Sequence, residues 1–222
     1  MKRSPRETVT RLFILFLGLT IAHFGVTLFL LADAGSDPFN VFIQGLYRTL
    51  SKYIQFRFLT HGNTHIAVCL LIILALLAID RSYIKSGTII CMIFGGPIID
   101  FFTKILSPAF NTQLPFLINL LILAIACIIL AFGMTIVIKS DAGTGPNDLV
   151  AVVLSDKLHR KFSIVRIITD ILFILSGFLL GGAVGIGTII CACLVGPVAG
   201  IFLPIQDKWI HKIICITTKN YH

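Results

Sequence analysis

Residues 25–38 read GVTLFLLADAGSDP, and residues 133–146 read GMTIVIKSDAGTGP. Asp33-Ala34-Gly35-Ser36-Asp37-Pro38 and Asp141-Ala142-Gly143-Thr144-Gly145-Pro146 stand 108 positions apart, and Gly25 and Gly133 keep that offset. Further along, Gly87-Thr88-Ile89-Ile90-Cys91 is identical to Gly187-Thr188-Ile189-Ile190-Cys191 at an offset of 100, and Gly96-Pro97 matches Gly196-Pro197. Four matches in one order exceed chance in an apolar chain. They predict two homologous halves, residues 1–107 and 108–222, within one membrane domain. The change of offset places a longer connection in the first half, around Tyr53–Asn63.

The surroundings of these motifs are oily. Of 222 residues, 57% are hydrophobic and 13% charged, and the mean hydropathy is +0.99. A soluble fold of this size could not hide so much apolar surface. The composition excludes a disordered tail, a collagen-like chain and a disulfide scaffold. Six apolar runs, roughly 12–32, 64–79, 87–106, 115–138, 163–181 and 187–206, approach or exceed the length that crosses about 30 Å of hydrocarbon. The fold class is an all-α polytopic membrane protein. Its expected partner is the lipid bilayer.

Two shorter segments, 38–53 and 146–158, each begin with proline, a favoured first residue of a helix. At about 20–24 Å they either cross as short helices or re-enter the face they left. Crossing gives eight spans and halves that point the same way, with only Arg81, Lys85 and Lys139 outside. Re-entry gives six spans and inverted halves, with Arg48, Lys52, Arg57 and Lys104 outside. The charged ends Arg48/Lys52 and Lys157/Arg160/Lys161 favour crossing helices, because both sets then reach the cytoplasmic surface. Either threading leaves the N- and C-termini cytoplasmic.

The net charge of +8 falls in short segments between the apolar runs. That is the pattern of the positive-inside rule rather than of a nucleic-acid surface. Lys2, Arg3, Arg6 and Arg11 precede Leu12–Leu31, and Ala32-Asp33-Ala34 resembles a signal cleavage site. The run has membrane-spanning length and recurs uncut mid-chain, so a retained first helix is expected. The six cysteines form no CxxC and no zinc spacing. Reduced thiols, no metal and no cofactor are expected.

At these paired motifs the chain resembles the YitT/YczE family of bacterial membrane proteins. The resemblance rests on Ala34-Gly35-Ser36-Asp37-Pro38-Phe39-Asn40, on Ala142-Gly143-Thr144-Gly145-Pro146-Asn147-Asp148, and on the two GT…GP elements, Gly87-Thr88…Gly96-Pro97-Ile98-Ile99-Asp100 and Gly185-Ile186-Gly187-Thr188…Gly196-Pro197. It covers nearly the whole chain. Asn40 stands where an acid is expected, Asn147 where an aromatic is expected, and Gly200 where the first half has Asp100. The resemblance implies a bacterial plasma membrane protein and, loosely, a transporter.

Polar groups inside a bilayer are expensive and so default to functional candidates. The two AG(S/T)xP breaks come first: Gly35, Ser36, Pro38 and Asn40, with Gly143, Thr144, Pro146 and Asp148. Paired helix starts with free amides suit a small, anionic solute; equally, Asn40 and Asp148 are ordinary caps. Gly96, Pro97, Gly196 and Pro197 are hinge candidates or close-packing sites. Asp100 is an ion or proton candidate, or pairs with Lys104. Arg166 and Asp170 are i,i+4 and read as a local ion pair. His23 is a proton relay or a histidine hydrogen-bonded across to another helix. No nucleophile–base constellation occurs, so no enzyme is expected. The leading function is a gradient-driven permease for a small solute. The alternative is a non-transporting scaffold or accessory subunit, and a homodimer is left open.

Overall fold

A computed structural model describes residues 4–32, 34–53, 59–110 and 115–219. Asp33 of the first motif, residues 54–58 of the expected longer connection, Arg57 among them, and both chain ends lie outside them. The described residues form eight α-helices and no strand: α1 (Pro5–Leu31), α2 (Pro38–Tyr53), α3 (His61–Ile79), α4 (Ser86–Leu106), α5 (Phe116–Ser140), α6 (Pro146–Lys157), α7 (Phe162–Leu179) and α8 (Ile186–Lys219). All except α2 and α6 are long and apolar enough to cross a membrane.

The helix boundaries follow local chemistry. Ser4 Oγ accepts from the Glu7 amide at 3.1 Å at the start of α1. Thr60 Oγ1 accepts from the Asn63 amide at 3.1 Å at the start of α3. Each hydroxyl meets one amide that the helix cannot satisfy itself. α5 ends where Asp141 turns to φ 55°, a left-handed cap.

α1 and α5 form the centre. A Cβ on Gly133 would lie 2.2 Å from the Ala22 amide nitrogen, and one on Gly25 would lie 2.6 Å from that of Leu130. The two backbones therefore touch, which small residues permit in membrane helices. Gly18 meets Gly133, Gly25 meets Ala126 and Leu130, and Arg11 Nη1 donates to the Ser140 carbonyl at 3.0 Å. Rising numbers on α1 meet falling numbers on α5, so the helices are antiparallel.

The ends of the other helices sort accordingly. Lys157 pairs with Asp80 at 2.9 Å and Lys139 with Asp207 at 2.7 Å, while Arg11 and Lys85 both pair with Asp141. One cation-rich end therefore gathers the start of α1 and of α4 with the ends of α3, α5 and α6. At the opposite end Arg48 Nη1 donates to the Gly181 carbonyl at 2.7 Å. The Ala183 amide there donates to Gln44 Oε1, also at 2.7 Å.

This corrects the eight-span expectation. Halves pointing the same way would put Asp80 and Lys157 on opposite faces, and likewise Arg48 and Gly181, yet each pair is bonded. Lys85 and Lys139, placed outside in that reading, share an end with Arg11. α1 and α5 run antiparallel, and α2 and α6 are not among the helices long and apolar enough to cross. The physical reason is length: twelve residues of α6 make only about 18 Å of helix.

Two backbone bonds join the sequence motifs. The Gly187 amide donates to the Ala34 carbonyl at 2.8 Å, and the Gly87 amide to the Ala142 carbonyl at 2.9 Å. Each AG loop is thus held by the GT element that opens a helix of the other half-chain. Outward-facing apolar side chains on α3, α4 and α7, such as Leu71, Ile89 and Leu172, are exposed and meet lipid.

Beyond the bilayer, the ammonium of Lys157 and the amide of Ser82 hold the Asp80 carboxyl well below its ordinary range. That link fixes the end of α6 to the end of α3.

Gly133→Leu forces a side chain into the Ala22 backbone. It is expected to destabilise the protein by at least the 1–3 kcal/mol typical of overpacking, read as a lowered unfolding temperature in micelles. Gly62→Ala, where an added Cβ meets nothing within 4 Å, is expected to leave it unchanged.

Candidate functional site

Halfway along α1 and α5 lies a cavity of about 480 Å³, walled by α1 to α7 and touched by Cys191 of α8. Leu19, His23 and Val26 of α1 face Leu130, Met134 and Val137 of α5 across it. Its polar lining comes from His23, Asp37, Asn40, His65, Asp148 and Arg166, among others.

The first turns of α2 and α6 supply two of these groups, Asn40 and Asp148. At α2, Asp37 Oδ1 accepts from the Asn40 amide at 3.2 Å, and Asp37 Oδ2 accepts from Asn40 Nδ2 at 2.6 Å. Asp37 is therefore the cap of α2, and Asn40 is held by it. At α6, Gly145 and Pro146 open the helix and Asp148 sits in its first turn. Asp148 Oδ1 accepts from Arg166 Nη1 at 2.5 Å, and Asp170 Oδ2 accepts from Arg166 Nε at 3.0 Å. The side chains of Arg166 and Asp170 are 8% and 1% exposed, whereas that of Asp148 is 20% exposed. Arg166 and Asp170 neutralise each other on α7, and Asp148 faces the space, as Asp37 does from α2.

The AG loops themselves do not meet. Gly35, at φ +132°, lies against Gly185 and Thr188, and Gly143, at φ +136°, against Gly87 and Thr88. The antiparallel α1–α5 pair carries these loops to opposite ends. What converges is the pair of helix starts that follow them. Gly35 and Gly143, paired as binding candidates by their motifs, therefore do not form one site, and a Cβ on Gly143 would lie 2.4 Å from the Thr88 amide nitrogen.

The remaining candidates scatter. Pro38 is buried at the start of α2, and Pro146 lines the cavity. The Ser36 carbonyl accepts from Thr188 Oγ1 at 2.6 Å, which ties the first loop to α8. Gly96 and Pro97 line the cavity, but Gly196 packs on Ser163 of α7. Helices α4 and α8 run on through Pro97 and Pro197, and α8 also through Pro204. Asp100 is exposed on α4; among the described residues it forms no ion pair with Lys104. His23 Nδ1 donates to Leu19 of its own helix at 2.8 Å, not across to a neighbour. That leaves Nε2 against Gly95.

Sequence reasoning missed Asp37 and His65 as lining groups. Asp37 had a signal, since an acid before proline with Asn three residues on is a capping pattern. His65 had none, because its approach to Phe39, 5.4 Å between rings, is tertiary.

A second cavity, about 640 Å³, opens at the cation-rich end and is lined by Arg11, Lys85, Lys139, Asp141, Thr144 and His211 among others. Gly143 and Thr144 border this space while Gly145, Pro146 and Asp148 border the central one. The loop between α5 and α6 thus partitions the two.

A polytopic helical membrane protein with a largely apolar central cavity that carries a few polar groups is the class so defined. The chain belongs to DUF6198, a family of unknown function, over residues 9–204. It is similar to the uncharacterized membrane protein YczE of Bacillus subtilis, 28% identical over 90% of this chain and 88% of that one. It is also similar to an uncharacterized protein of Haemophilus influenzae, 29% identical over 89% of this chain and 85% of that one. A third relative, the uncharacterized protein YyaS of Bacillus subtilis, is 22% identical over 86% and 92% respectively. The YczE side of the sequence resemblance is borne out. No solved structure matches.

Arg166→Gln leaves Asp148 and Asp170 without their shared counter-ion. Removing one partner of a buried pair costs about 3–5 kcal/mol, so a marked fall in the unfolding temperature is expected. Arg166→Gln combined with Asp170→Asn is expected to recover a measurable part of it.

Proposed function

We propose that the protein is a gradient-driven permease for a small polar solute, with its site in the central cavity. The observation that carries this reading is the convergence of two short helix starts on one mid-molecule cavity, separated from an end cavity by a single loop. Inverted repeats with broken helices that meet at mid-membrane are how many transporters build a site. The matched bonds Gly187–Ala34 and Gly87–Ala142 fit such a duplication, with halves 1–107 and 108–222. We place the cation-rich end in the cytoplasm of a bacterial plasma membrane by the positive-inside rule.

The anionic solute expected from sequence fares less well. The first turn of α2 already engages the Asp37 carboxylate, and that of α6 carries Asp148. Both helix starts thus hold the negative groups that an anion would have to displace. The scaffold alternative would use the same residues for packing alone.

Labelling separates the two. In a variant with the native cysteines replaced by alanine, Asn40→Cys places a thiol on the cavity wall. A permease is expected to expose it in turn to membrane-impermeant thiol reagents added on either side of proteoliposomes. Protection from both sides would favour the scaffold.

A further inference from the structure

The charges around the central cavity do not balance. Arg166 and Asp170 cancel as an i,i+4 pair with the lowest exposure in the group. Asp148 then contributes a negative charge from the first turn of α6. Asp37 contributes another from the cap of α2, where its recorded partners are the neutral amide groups of Asn40. Both line the same space. His23 and His65 are the other titratable groups on the wall that could offset them, and His61 stands at its edge. Two surplus carboxylates on one cavity wall favour a positive counter-charge.

The wall has more to offer a cation than charge. Phe39 stands edge-on to His65 at 5.4 Å and to Phe173 at 5.2 Å. Phe39 on the wall gives the alkyl part of an organic ammonium an apolar surface beside the carboxylates. A cavity of about 480 Å³ lies within the usual range for small-molecule sites. Within the molecule, the guanidinium of Arg166 already models the ligand: it lies on Asp148 at 2.5 Å while anchored on Asp170.

We infer that the central cavity binds a small organic cation, a primary amine or a guanidinium compound, whose charged group takes the place of Arg166 on Asp148. Asp37 faces the same ligand from α2, and Arg166 stays behind on Asp170. This rests on the cavity being the solute site and names its substrate class. Asp148 is a binding residue here, Arg166 the internal competitor and Asp170 the residue that keeps Arg166 in reach.

The test is binding by the purified full-length protein in nanodiscs, so that it does not depend on flux. Thermal unfolding is followed with n-butylammonium chloride and with sodium butyrate at equal ionic strength. The amine is expected to raise the unfolding temperature saturably, and butyrate is not. Asp148→Asn and Asp37→Asn are each expected to weaken the amine effect at least tenfold. Asp37→Asn keeps an oxygen to cap α2, so it stays informative should Asp148→Asn fold poorly. Stabilisation by butyrate, by neither compound, or by the amine equally in both variants would overturn the inference. Amine binding without counterflow of the same amine in proteoliposomes would leave the inference standing and sink the permease reading instead.

Discussion

The close antiparallel approach of α1 and α5 governs everything else in this molecule. Gly133 against Ala22 and Gly25 against Leu130 bring two backbones into contact where any larger side chain would separate them. In lipid there is no hydrophobic force to drive helices together, so such contact depends on packing and on the absence of side chains. Once α1 and α5 are antiparallel, their C-terminal loops must lie at opposite ends. Each loop then meets the helix that begins there: α8 for the first, α4 for the second.

From that constraint comes the cavity. α2 and α6 start inside the molecule because their preceding loops fold back, and each runs parallel to a long helix toward the end it came from. α2 follows α7, with Phe39 on Phe173 and Arg48 on the Gly181 carbonyl. α6 follows α3, with Leu149 and Val153 packed with Leu76, and Lys157 on Asp80. Their first turns are left pointing into the space beside the α1–α5 contact. Loop glycines at positive φ make the fold-back possible, and the same glycines lie too close to a neighbouring backbone to accept a side chain.

Much of this was legible in the residues. Helix starts at Pro38 and Pro146 follow from proline chemistry, the spans follow from apolar length, and Asn40 and Asp148, singled out by their motifs, both line the central cavity. The direction of the second half was not legible. The positive-inside rule counts cations on each face, and the two threadings differ only in which few are left outside. Contacts such as Asp80 with Lys157 are tertiary and leave no local trace. The link from Arg166 to Asp148 was hidden for another reason: the i,i+4 spacing to Asp170 explained the arginine locally, and its reach to a second helix start carries no periodic signal. Asp100, attractive because it follows Gly96-Pro97, turned out to sit on the exposed side of α4.

The antiparallel arrangement is tested most directly by cross-linking across the two ends. In a cysteine-free background, Asp80→Cys with Lys157→Cys, and separately Thr49→Cys with Leu180→Cys, are treated with a short bis-maleimide in native membranes. Both pairs are expected to cross-link within one chain. If the halves instead ran in the same direction, the members of each pair would sit on opposite faces, about 30 Å apart. Failure of both pairs to react would then contradict the inverted fold.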